Sequence, residues 1–140
     1  MVLFALVLGL LGTGAELLLL EHFEDTWQVV PLVLIGLALI ALAVHGARRT
    51  PRSMIAIRIV MVLAVASGGI GVALHYQGNA EFEREMYPSI EGFELFSKSM
   101  MGATPALAPG TMSLLGLLGL IYSYRHPSLR PGSRDDVENV

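Results

Sequence analysis

The chain reads as an all-α polytopic membrane protein, four transmembrane helices in an up-down bundle, and three observations predict it. Four apolar runs, residues 1–20, 27–44, 55–74 and 106–124, fill most of its 140 residues, with only Glu16 and Arg58 bringing charge into them. Each run is close to the roughly 20 residues a helix needs to cross a hydrocarbon core. The runs lack the alternation and regular spacing of barrel strands, and backbone inside lipid must satisfy its own polar groups, so helices are the remaining solution. Finally, the basic residues concentrate on alternate connections.

The first run has no Lys or Arg ahead of its apolar stretch, and its hydrophobicity resumes at 17–20 beyond Thr13, Gly14 and Ala15. It is expected to stay as a helix rather than to be cleaved as a signal peptide. Residues 21–26 make a tight turn into the second helix, with Pro31 expected in its first turn, where a missing N–H loses no partner. In the connection 46–53, Gly46 ends one helix, Pro51 breaks the path and Ser53 is the expected N-cap of the next. Such short connections make the first three helices antiparallel neighbours.

The connection 77–104 is long enough to hold structure of its own. Ser89 as a cap, followed by Phe93, Phe96 and Met100 at helical spacing, predicts a short interfacial helix with Glu91, Glu94 and Lys98 on other faces. Pro105, Pro109, Gly110 and Thr111 predict an irregular start to the fourth helix, which survives at membrane depth only when protein or water covers it. The transmembrane domain is thus residues 1–126. Residues 127–140, rich in Pro, Ser, Arg and Asp, are expected to form a mobile cytoplasmic tail.

Arg48, Arg49, Arg52 and Arg58 surround the second connection and Arg125, Arg130 and Arg134 follow the fourth run, while only Arg84 and Lys98 lie in the third connection. The positive-inside rule then predicts a multi-pass protein of the inner (plasma) membrane with both termini cytoplasmic. Phe23, Trp27 and Tyr76 supply an outer aromatic belt, Tyr122 and Tyr124 an inner one. Arg58 lies a turn beyond Met54 and is expected to snorkel to lipid headgroups.

Several chemistries are excluded. The chain has no cysteine, which removes disulfides, thiolate metal sites and thiol catalysis. Its net charge of −3 divides into an acidic outer and a basic inner side, with no support for nucleic acid binding. Glu81, Glu83 and Glu85 alternate and so do not share one helix face, which argues against a metal cluster. No catalytic motif is present.

Small residues recur at steps of four and three: Ala5, Gly9, Gly12 and Glu16; Ala64, Gly68, Gly71 and His75; Gly116, Gly119, Ser123 and His126; and more weakly Ala38, Ala41 and His45. That period holds one face of a helix toward a neighbour, and small residues let backbones approach closely. Three stripes end in histidine and one in Glu16. Glu16 lies about 6 Å along the axis from Leu20, a depth at which a carboxylate demands a partner. Thr13, His75 and Ser67 are the candidates. With Gly68, Gly69 and Gly71 leaving space opposite, the expectation is a small polar cavity built from Glu16, His75, Ser67, Gly68 and Gly71.

Three uses of these residues follow. The leading expectation is a non-enzymatic accessory or assembly subunit of a larger bacterial membrane complex, docking on lipid-embedded partners or on its own copies through the small-residue faces. The first alternative is a carrier of protons, cations or a small cationic solute, with Glu16 as the binding group. The second is an electron-transfer protein with haem between histidines: in an up-down bundle His45 can meet His126 at the inner end and His22 can meet His75 at the outer end. Either outer histidine with Met86, Met100, Met101 or Met112 would make a weaker copper variant. The composition selects no cofactor.

Overall fold

The structure is a computed structural model that describes residues 1–102 and 105–129. Helices are the regular structure of those residues, with no strand among them: α1 (Val2–Leu19), α2 (Thr26–Arg48), α3 (Pro51–Met86), α4 (Gly92–Met100) and α5 (Gly110–Ser123), then a 3-10 turn at Pro127–Leu129. α1, α2 and α3 are long and apolar enough to cross a membrane, and α5 is a shorter apolar helix. α3 packs on α2, α4 and α5, while α1 packs on α2 and α5.

Local chemistry sets the helix limits, and it corrects three expected ends. Asp25 caps α2 by accepting from the backbone N–H groups of Trp27 and Gln28. The helix therefore starts at Thr26, and Pro31 sits in its second turn rather than its first; without an N–H it leaves the Trp27 carbonyl short of its usual donor. Gly46 does not end α2, which runs to Arg48 and stops on Arg49 in the left-handed region (φ 48°). Thr50, not Ser53, caps α3: its side chain accepts from the Ser53 N–H and Pro51 occupies the first turn, where it costs no hydrogen bond.

The larger difference concerns the third connection. Its first third continues α3, whose 36 residues span about 54 Å against a hydrocarbon core of about 30 Å. Leu95 of α4 and Ile90 just ahead of it pack back on Ala80 of this extension, with Tyr76 alongside. Asn79 Nδ2 donates to the Ser99 carbonyl at 2.8 Å. The short helix thus exists, yet Ser89 does not cap it, since Glu91 holds the N-cap position. Its buried face is Leu95 and Ser99, leaving Phe93 and Phe96 exposed and Met100 half-buried.

The main core joins Leu6 and Leu10 of α1, Leu34, Ile35 and Ala38 of α2, Met54, Ile57, Met61 and Ala64 of α3, and Met112 and Leu115 of α5. It is narrow. Leu8, Leu18, Leu19, Ile40, Ile59, Leu114 and Ile121 are all exposed, far more apolar surface than water tolerates on a single chain. The closest approach is between α3 and α5. A Cβ on Gly116 would stand 2.6 Å from the Met61 carbonyl oxygen and 2.8 Å from the Val65 nitrogen, so only glycine permits that separation.

The fourth apolar run becomes helical only from Gly110. Ahead of it, Ala108, Gly110, Thr111 and Met112 donate to the carbonyls three residues earlier, the tight pattern of 3-10 turns. This irregular stretch is covered by α3, because a Cβ on Gly68 would come within 2.8 Å of the Pro109 carbonyl oxygen and one on Gly71 within 2.6 Å of Pro109 Cβ. The described residues of the tail form the 3-10 turn Pro127–Leu129. Residues 130–140, most of the expected mobile segment, lie outside the described residues.

Candidate functional site

The described residues do not bring Glu16 together with Gly68 and Gly71. Gly68 and Gly71 face Ser113 and Pro109 of the α5 approach, not α1, so the space they leave is already filled. Ser67 is half-buried on α3 and His75 is engaged elsewhere. Glu16 itself is exposed on α1 and has no hydrogen bond or ion pair among the described residues. Gly12, one turn before it, has nothing within 4 Å of where a Cβ would stand. The part of the α1 stripe from Gly12 to Glu16 therefore faces away from the rest of the chain, whereas Gly9 meets Leu115. Sequence spacing put Glu16 and the α3 glycines on comparable faces at comparable depth, but it could not say which neighbour each face meets.

The structure brings both histidine pairs together, one at each end. At the arginine-rich end, the rings of His45 and His126 have centroids 5.0 Å apart at an interplanar angle of 77°, and Tyr122 stacks near His126 at 5.4 Å. His45 is 4% exposed. Its Nδ1 lies 2.8 Å from Ser53 Oγ, which gives its single proton to the Thr50 carbonyl at 2.8 Å. Nδ1 of His45 is therefore the donor, and the lone pair of the neutral ring sits on Nε2. His126 is set the other way: its Nδ1 accepts from the Ser128 N–H at 3.3 Å, which places the proton of a neutral ring on Nε2.

At the acidic end, His22 in the α1–α2 turn meets His75 of α3 with centroids 6.3 Å apart at 61°. Both are half-buried. His75 Nδ1 donates to the Pro105 carbonyl at 3.2 Å, and because a carbonyl only accepts, Nε2 is left with its lone pair. The ring of His22 makes no hydrogen bond among the described residues. The same turn that carries His22 is held by backbone bonds from His22 N to Leu17 O and from Phe23 N to Glu21 O, with Glu21 in the left-handed region (φ 52°).

Arg58 does something the sequence reading missed. Instead of reaching for headgroups, it turns inward and is half-buried, with Nη2 donating to the Ser123 carbonyl at 2.7 Å and Nε to Ser123 Oγ at 3.3 Å. Ser123 closes α5, so a cation satisfies carbonyl-rich backbone at the negative end of that helix. The only signal was an arginine inside an apolar run. Among the described residues no group of three or more His, Asp or Glu side chains is placed to hold a metal ion. No protein-family profile, curated protein or solved structure matches the chain.

Proposed function

We propose that this protein is a non-enzymatic integral membrane subunit, with α1, α2, α3 and the α5 region forming a four-helix transmembrane bundle, and that the open face of α1 docks on another membrane-embedded chain. The carrying observation is Glu16, a carboxylate about one turn inside the apolar run that finds no partner among the described residues. An intramembrane acid facing lipid is costly, and pairing with a donor on a second helix removes that cost. The flat surface beside it at Gly12 lets a second backbone come close.

The carrier alternative requires Glu16 to line a path, and its outward position puts any such path between chains. The haem alternative requires a porphyrin plane between two imidazoles. The edge contact of His45 with His126 leaves no such slot at the arginine-rich end.

A photo-crosslinking residue substituted for Gly12, used in native membranes, tests the docking reading. The expected result is a discrete protein adduct, with none from a control at Leu32 on α2. Lipid adducts alone, together with purification as a lone monomer in mild detergent, would overturn it.

A further inference from the structure

We propose that His22 and His75 bind one copper ion in its cuprous state at the acidic end of the molecule. Two imidazoles sharing an ion place their centroids about 5 Å apart at a tetrahedral angle and about 6 Å apart when linear, from metal–nitrogen bonds near 2 Å plus roughly 1 Å from each nitrogen to its ring centre. The observed 6.3 Å falls at the linear end of that span. A filled d shell imposes no geometry of its own, and the cuprous ion accepts two ligands in line, whereas zinc sites take three or four protein ligands. Among the described residues no third His, Asp or Glu side chain joins the two imidazoles, which leaves the pair short of a zinc ligand set of those types.

The surroundings support the same assignment. A ligating histidine usually donates its other ring N–H to a carbonyl or carboxylate, which fixes the ring and directs the bare nitrogen at the metal. His75 has that arrangement with the Pro105 carbonyl. His22 has no competing hydrogen bond among the described residues, and both rings are half-buried, so an ion can reach them. Glu21, Glu24 and Asp25 flank His22 between α1 and α2, and Glu81, Glu83 and Glu85 follow His75 along α3, acids that raise the local concentration of cations. The other pair lacks this preparation, because the Ser128 N–H occupies His126 Nδ1 and leaves a proton on the nitrogen that would have to bind.

Anaerobic titration of the full chain with cuprous ion, in competition with a chromophoric chelator, decides the matter. One equivalent should be withheld from the chelator by the native sequence and by His45→Asn and His126→Asn, and lost in His22→Asn and in His75→Asn. No retained equivalent in the native protein, or retention in either outer variant, overturns the proposal. Should an outer variant fail to fold, X-ray absorption of the copper-loaded native protein replaces it. A two-coordinate nitrogen shell with imidazole outer-shell scattering is expected, and a shell dominated by sulfur overturns the site.

Discussion

Gly68 and Gly69 are neighbours in sequence with opposite physical duties. A Cβ on Gly68 would stand 2.5 Å from the Ser113 nitrogen, backbone that cannot step aside, whereas one on Gly69 has nothing within 4 Å. Gly68→Ala should therefore cost about 1–3 kcal/mol through overpacking, measured by thermal unfolding in detergent. Gly69→Ala should be neutral or stabilising by about 0.5–1 kcal/mol, the ordinary gain of alanine in a helix. Equal losses from both would show that α5 does not sit on the Gly68 face. Arg58→Ala removes two charge-assisted hydrogen bonds from the end of α5, one to a carbonyl and one to a hydroxyl. A loss of about 1–3 kcal/mol is expected. Lysine at the same position should recover only part of it, because a point charge cannot reproduce the planar fork.

At the scale of elements, α3 is two helices in one. Its first half lies in the apolar core and its last turns carry the small cluster of Ala80, Ile90 and Leu95. Because that cluster shares no residue with the main core, Leu95→Ala should loosen α4 locally at a cost of about 2–3 kcal/mol. Amide exchange should accelerate over 90–102 while α2 and the first half of α3 keep their protection. A uniform loss of protection would mean that the extension and the bundle unfold as one unit. α5 depends on its neighbour in the same way. At 14 residues it spans about 21 Å, and the 3-10 turns ahead of it extend the path under the cover of Gly68 and Gly71.

For the whole molecule, the separation of charge sets the expectation about orientation. The arginines around α2 and α3 lie at the His45 end, and the acids of the α1–α2 turn and of the α3 extension lie at the His75 end. With no native cysteine, single substitutions report sidedness cleanly. Glu83→Cys should react with an impermeant thiol reagent in intact cells and Arg52→Cys only after permeabilisation. The reverse pattern would invert the assignment and place the His22–His75 pair inside.

What the sequence determined by itself was what depends on composition and local order: helices from apolar length, the breaks at Pro51 and at Pro105 to Pro109, and the polar ends of the small-residue stripes. It also allowed His45 to meet His126 and His22 to meet His75, as the proposed up-down order of helices would have it, and both ring contacts are present. Only the tertiary structure decided which faces touch. Gly68 received Pro109 and Ser113 instead of looking onto Glu16, and Arg58 found Ser123, 65 residues away, instead of the headgroups. The physical reason is that helical period fixes a residue's face relative to its own axis. The rotation of that axis against its neighbours is set by close packing summed over all of them, which no single segment encodes.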